Sequence, residues 1–109
     1  MVTWPAVIKY DGDNELVYVA SQTEWDNDPD FCGVPYQEAD QLIDSSGLIY
    51  SLENDSDGIA LPEATGDKIT LDQMTVLVRE HASELGNCCV SKLGFNSISE
   101  AVTVVGDLI

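Results

Sequence analysis

One stretch, residues 70–86, carries the clearest secondary-structure signal in the chain and limits what the rest can fold into. Apolar residues recur there every three or four positions and so share one side of a helix: Leu71, Met74, Leu77, Val78, His81, Ala82 and Leu85. Thr70 and Gln73 make a capping-box pattern at its start, and Gly86 is suited to end it. The stretch therefore predicts an amphipathic helix that packs on another apolar surface.

Two strand pairs come before this helix. Residues 6–10 and 15–20 are rich in β-branched and aromatic residues and flank a turn sequence, Asp11-Gly12-Asp13-Asn14, which predicts a hairpin. Residues 15–20 are apolar on both faces, which favours an interior strand. Residues 41–44 and 48–52 flank a turn with Asp44 and Gly47 at its ends, which predicts a second hairpin.

The remaining segments complete the predicted fold. A capping-box pattern at residues 21–24 predicts one or two helical turns that carry Trp25 inward, and residues 53–68 resemble a long loop, broken by an edge strand at 59–61. A third capping box opens a final helix whose inward residues are Ile98, Ala101, Val102, Val105 and Leu108. We therefore predict one α+β domain over residues 1–109. Two β-hairpins form a small, mainly antiparallel sheet packed on two C-terminal helices.

The charge of the chain excludes several classes of partner. Twenty Asp and Glu residues stand against four Lys and Arg, giving a net charge of −16. Such a surface repels phosphate backbones and anionic lipid, so neither nucleic acid nor a membrane is an expected partner. The N-terminus lacks the pattern of a signal peptide, and no apolar run approaches the ~20 residues of a membrane span. Together with three cysteines in no framework spacing, these features predict a cytoplasmic protein with reduced thiols.

Metal binding is one alternative that the sequence leaves open. Residues 53–58 place oxygen ligands at alternate positions and Gly58 at the sixth, as a calcium-binding EF-hand loop does. The twelfth position, which should be a bidentate Glu, is Ala64. Cys32, Cys88, Cys89 and His81 could also hold zinc, although adjacent cysteines seldom share one ion. Small-ligand or calcium binding therefore stays an alternative function, and no metal ligand or cofactor is predicted.

Catalysis has no sequence signature here. The chain has no nucleophile elbow and no phosphate-binding glycine loop, and twenty carboxylates offer no way to choose an acid–base pair. The single histidine, His81, lies on the apolar side of its helix, where a hydrogen-bonded core residue is the commoner explanation. Free cysteines likewise pack as small hydrophobes. We predict no catalytic residue and favour a non-enzymatic protein.

The acidic loops are the predicted functional feature. We expect an interaction protein that meets a basic protein partner through two segments, residues 26–30 and 53–57, aided by electrostatic steering. An inhibitor of the immunity or antitoxin kind, acting as a charge mimic, is a sharper form of this hypothesis, and solubility alone is the simpler explanation. The predicted partner-binding residues are Asp26, Asp28, Asp30, Glu53, Asp55 and Asp57, with Trp25, Phe31 and Tyr36 as apolar anchors.

Three blocks of sequence carry a resemblance to a known family. They are residues 4–16, with Trp4-Pro5-Ala6-Val7-Ile8-Lys9, then Leu42-Ile43-Asp44-Ser45-Ser46-Gly47, and Cys88-Cys89-Val90-Ser91-Lys92. In these blocks the chain resembles a family of small acidic bacterial proteins of unknown function. The resemblance implies one cytoplasmic domain. It implies no activity and no site residue.

Overall fold

A computed structural model describes residues 2–28, 31, 35–37, 39–86 and 94–108. In chain order the helices and strands of these residues are β1 (Ala6–Lys9), β2 (Leu16–Val19), α1 (Gln22–Asn27), β3 (Gln41–Asp44), β4 (Leu48–Asn54), β5 (Ala60–Lys68), α2 (Leu71–Glu84) and α3 (Ile98–Asp107). The fold is α+β, as predicted. The predictions for Asp30 and for the three cysteines concern residues that lie outside the described ranges.

The five strands form one antiparallel sheet in the order β2-β1-β3-β4-β5. Val7 in β1 pairs with Tyr18 of β2 on one side and with Ile43 of β3 on the other. Both predicted hairpins are confirmed. The turn of the second is closed by a hydrogen bond of 3.0 Å from the Gly47 amide to the Asp44 carbonyl oxygen. Gly47 has φ of +90°, and a Cβ there would lie 2.8 Å from the Ile98 side chain, so this turn requires glycine.

Strand β5 corrects the prediction of a long loop over residues 53–68: an edge strand is present as predicted, but it covers Ala60–Lys68 and not only residues 59–61. This nine-residue strand runs antiparallel to β4, from Asn54 opposite Ala60 to Leu48 opposite Lys68. Between Leu48 and Tyr50, at the start of β4, that strand advances two residues while β5 advances four, so the end of β5 carries a bulge that includes Gly66, with φ of +86°. Pro62 and Gly66 weakened the strand signal, and pairing with β4 supplies the strand conformation that local propensity does not.

The predicted interior position of β2 is wrong, because β2 lies at one edge of the sheet. Its two apolar faces have a different cause. Leu16 and Tyr18 pack on the side of α2 and α3, whereas Val17 and Val19 pack on the side of α1. An edge strand covered on both faces therefore has the same apolar pattern as an interior one.

The helix caps follow the sequence closely. At the start of α2, the Gln73 amide donates to Thr70 Oγ1 at 3.1 Å and the Thr70 amide donates to Gln73 Oε1 at 2.9 Å, a complete capping box. Ser21 and Ser97 cap α1 and α3 in the same way through the amides of Glu24 and Glu100. In these two helices the Glu24 and Glu100 side chains accept hydrogen bonds from the amides of Ala20 and Asn96. These donors stand one residue before the cap residues, from which the pattern predicts the bonds.

Two apolar cores lie on opposite faces of the sheet. The helix-side core joins the sheet to α2 and α3 through Val7, Leu16, Ile43, Ile69, Met74, Val78, Ala101, Val102 and Val105. The aromatic-side core joins the other face to α1 and Phe31 through Ala6, Ile8, Val19, Trp25, Phe31, Leu42, Tyr50, Leu52 and Ala60. The two C-terminal helices therefore cover one face, as predicted, and α1 covers the other.

Candidate functional site

The tip of the β4–β5 hairpin is built by its own acidic residues. Asp55 Oδ1 accepts hydrogen bonds of 2.9 Å from the amides of Asp57 and Ile59, and Asn54 Nδ2 donates to the Gly58 carbonyl oxygen at 3.1 Å. Gly58 has φ of +80°, which completes the tight turn. The alternating oxygen atoms that resembled a calcium loop thus organise a turn. Among the described residues no group of three His, Cys, Asp or Glu side chains is placed to hold a metal ion.

A small pocket opens beside this turn. It is lined by Glu53, Asn54, Asp55, Leu61 and Glu63. Glu53 pairs with Leu61 across the strands, and Ser51 pairs with Glu63, so these four side chains share one face of the hairpin. Leu61 is 55% exposed. We call this feature, an exposed leucine between Glu53 and Glu63 with Asp55 at its end, the acid pocket.

The predicted aromatic anchors are not at this pocket. Trp25 and Phe31 are buried, with only 2% and 8% of their surfaces exposed. Their rings stack at a centroid distance of 6.2 Å, and Tyr36 stacks on Trp25 at 6.2 Å and on Tyr10 at 6.1 Å. Trp25 and Phe31 are therefore core residues that cannot offer their rings to a partner in this conformation. Tyr36 is half-buried.

The two predicted acidic segments are connected through Tyr36. Its ring stacks on Trp25 of α1, while its amide donates to Asn54 Oδ1 at 3.0 Å, at the end of β4. Asp26 is exposed and Asp28 is half-buried, whereas Glu53, Asp55 and Asp57 are exposed on the hairpin. Glu53, Asp55 and Asp57 are the hairpin acids that the sequence predicted as partner-binding residues. Leu61 and Glu63 were not predicted, because only the strand register puts them beside Glu53.

Asp44 is a buried carboxylate with a structural task. Its oxygens accept hydrogen bonds from the amides of Thr3, Ser46 and Leu48, all at 3.0 Å, from Ser46 Oγ at 2.6 Å and from the Tyr50 hydroxyl at 3.0 Å. Burial disfavours the ionised form, but these donors outweigh it and hold the pKa of Asp44 below its ordinary value of 3.8. Asp44 thus joins the chain start to the β3–β4 turn.

Asp40 has a similar function at the opposite end of β3. Its carboxylate accepts from the amides of Asp11 and Gln37, both at 2.9 Å, and is 5% exposed. It therefore joins the β1–β2 turn to the segment before β3. Both acids belong to the framework of the fold and are engaged with backbone donors.

His81 is a core histidine, as its place on the helix suggested. Its Nδ1 accepts a hydrogen bond of 2.8 Å from the Leu16 amide, so it bears no proton there and fixes the start of β2 to α2. Burial lowers the pKa of His81 below its ordinary value of 6.5, and the nearby charge of Glu15 opposes this shift.

A pH-dependent difference in stability follows from His81. Its lowered pKa means that the unfolded chain binds a proton more readily, so His81 should cost stability as the pH falls below about 6.5. His81→Asn keeps an acceptor for the Leu16 amide without titrating. We expect wild type to lose stability relative to His81→Asn between pH 7.5 and 5, measured by urea unfolding. The surface carboxylates are common to both proteins, so their effect cancels.

The second variant for this test is His81→Phe, which retains a ring and removes the acceptor. It should cost about 1–3 kcal/mol at neutral pH, because the buried Leu16 amide then has no partner. If the free energy of unfolding changes with pH in the same way for wild type and His81→Asn, the result would contradict a neutral, hydrogen-bonded His81.

No helix within the described ranges combines the length and apolar character needed to cross a bilayer.

The features above define the class: an α+β protein with an antiparallel sheet between two apolar cores and an acidic hairpin tip. A family model for DUF4144, described as a protein structure with unknown function, matches residues 4–105. The chain belongs to that family, in agreement with the resemblance in its sequence.

A solved structure supports the fold. The chain is similar to a protein from Shewanella amazonensis whose structure was determined by NMR, with 26% sequence identity and a TM-score of 0.71. The alignment covers 100% of this chain and 91% of that protein. No curated protein matches this sequence.

Proposed function

We propose that this protein is a small non-enzymatic interaction protein that binds a basic protein partner through its acidic β4–β5 hairpin. The observation that carries the proposal is the acid pocket, where Glu53 and Glu63 flank the exposed side chain of Leu61. An acidic surface alone is equally well explained by solubility. A pocket that combines carboxylates with an exposed leucine has the chemistry of a binding site.

The pocket suits a Lys or Arg side chain. The aliphatic part of such a side chain would lie on Leu61, and its cationic end would lie between the carboxylates of Glu53 and Glu63. Asp55 is less available, because its Oδ1 already accepts two backbone hydrogen bonds in the turn. We therefore assign the cation to the two glutamates.

The overall charge would assist this binding over a longer range. A net charge of −16 attracts a basic partner before contact and increases the association rate at low salt. A single exposed ion pair contributes only about 0–1 kcal/mol, so charge alone would not give specific affinity. Asp26 and Asp28 extend the proposed acidic surface, and Asp30, close to them in the sequence, is proposed to act with them. Trp25 and Phe31 are no longer part of it, because they are buried.

Two double variants with equal net charge test the proposal. Glu53→Gln with Glu63→Gln removes two charges at the acid pocket. Asp11→Asn with Asp107→Asn removes two from exposed positions elsewhere, in the β1–β2 turn and at the end of α3. Affinity capture from native lysate should retain a basic protein on wild type. We expect the pocket variant to bind it about tenfold more weakly, corresponding to about 1.4 kcal/mol, and the control to stay within about twofold.

Salt provides a further comparison in the same experiment. Capture of the partner should decrease as salt rises, since screening weakens the attraction between exposed charges. Retention of no basic protein would mean that the acidic surface serves solubility. An equal loss of binding in both double variants would mean that overall charge, and not the acid pocket, binds the partner. Either result would show that the proposed function is wrong.

A further inference from the structure

An apolar groove lies between α2 and the sheet, on the same face as the acid pocket. Its lining residues are Ile49 of β4, Ile69, and Gln73, Val76 and Leu77 of α2, and its volume is about 400 Å³. Val76 is 50% exposed, although it belongs to a helix with a well-formed core face. The two C-terminal helices pack mainly over β2 and β1, which leaves Ile49 beside an open side of α2.

The groove and the acid pocket are neighbours along β4. Ile49 lines the groove and Glu53 lines the pocket, and alternate residues of a strand point to the same face. Four residues of strand at ~3.3 Å each separate the two by about 13 Å. Glu80 adds a negative charge to the groove side of α2, because it follows Val76 by four residues and is exposed. Acidic residues thus lie beside the apolar groove, Glu80 along α2 and Glu53 about 13 Å along β4, and together they form its acidic rim.

This charge pattern selects among possible occupants. A second copy of the chain would bring another net charge of −16 to an acidic rim, which opposes self-association. A basic amphipathic segment matches both the groove and its acidic rim, because its apolar side chains would enter the groove and its cations would contact the acidic residues of the rim. A helix has the spacing that the groove and the acid pocket require. Its apolar residues three or four apart share one side, and a residue two to three turns further along the helix lies about 13 Å from them.

We propose that a basic amphipathic helix of the protein partner docks between α2 and the β4–β5 hairpin. Its apolar side chains occupy the groove of Ile49, Val76 and Leu77, and a Lys or Arg two to three turns along occupies the acid pocket. This inference rests on the proposed function and specifies the form of the partner. The exposed Val76 is then a contact residue, and Glu53 and Glu63 fix the direction of the docked helix.

The test uses synthetic peptides in place of the unidentified partner. One peptide contains leucine and lysine arranged so that all leucines share one side of a helix, and a second has the same composition in scrambled order. Titration into isotopically labelled protein should shift amide signals of α2, β4 and β5. The ordered peptide should bind about tenfold more tightly than the scrambled one.

Matched variants locate the binding. Val76→Gln removes the exposed apolar side chain of the groove, while Leu85→Gln removes one that is 41% exposed at the C-cap of the same helix but lines a different pocket, beside β2. We expect Val76→Gln to weaken the ordered peptide by about tenfold and Leu85→Gln by less than twofold. Glu53→Gln with Glu63→Gln should weaken both peptides.

The outcomes separate the two proposals. If both peptides bind equally, and only the glutamate variants matter, the groove proposal fails while the proposed function stands. Amide signals that shift only outside α2, β4 and β5 would also overturn docking in the groove. So would sedimentation showing that wild type is a dimer and that Val76→Gln is a monomer, because the groove would then bind a second copy of this chain. If another part of this chain already fills the groove, the ordered peptide will bind no more tightly than the scrambled one, and the groove proposal fails in that case too.

Discussion

The Asp44→Ala variant is expected to lose at least about 3 kcal/mol of its free energy of unfolding, because it leaves five hydrogen-bond donors, including the buried Tyr50 hydroxyl, without their acceptor. Asp44 accepts five hydrogen bonds from four residues, and no part of it is exposed. Urea unfolding followed by circular dichroism would measure the loss. Tyr50→Phe is the matched control: it removes one donor and leaves Asp44 otherwise satisfied, so about 1 kcal/mol is expected.

The pH dependence of this effect has a definite sign. The pKa of Asp44 is lower in the fold than its ordinary value of 3.8, so the charged form stabilises the fold above that pH. The contribution is lost as pH falls through the folded-state pKa. The difference in stability between wild type and Asp44→Asn should therefore shrink below about pH 4. A difference that stays constant down to pH 2 would contradict a charged Asp44.

The second large effect is expected at Trp25. Replacing this buried residue by alanine should cost about 3–5 kcal/mol, because it removes a large side chain from the aromatic-side core and leaves a cavity. Trp25 also has ring contacts with Trp4, Phe31 and Tyr36 at centroid distances of 6.2–6.4 Å, which the variant loses. Thermal and urea unfolding would measure the change.

Thr23→Ala is the control for Trp25, since Thr23 is exposed on the same short helix. It should change the free energy of unfolding by less than about 0.5 kcal/mol. The measurement also separates two roles for Trp25. A Trp25→Ala protein as stable as Thr23→Ala, yet unable to bind the partner, would restore the original prediction that this ring is a partner anchor.

Local signals explain which parts of the fold could be predicted. Capping residues and apolar periodicity lie within a few residues of each other, so Thr70 with Gln73 and Ser97 with Glu100 located the two C-terminal helices. The first hairpin was equally accessible, because strong β-formers flank its turn. The position of β2 was not, since an apolar pattern reports which faces are covered and not which edges are paired.

The candidate site was predictable in part for the same reason. The exposed acids of residues 53–57 lie together in the sequence, and their turn chemistry is local. Leu61 and Glu63 join them only through the register of β5, and that strand has weak intrinsic propensity. The burial of Trp25 was predicted from its helix, but its use as a partner anchor conflicted with that burial. A core ring and a surface anchor are different roles for the same residue type.

Strand β5 has one further consequence, which concerns aggregation. An edge strand displays unpaired backbone groups that can recruit another chain, and β5 is nine residues long. Pro62 supplies no amide donor, the bulge around Gly66 breaks the regular spacing, and Glu63 and Asp67 add charge. A neighbouring molecule therefore meets an interrupted and negatively charged hydrogen-bonding row. These features oppose growth of the sheet from one molecule to the next, and with it the formation of fibrils from the folded protein.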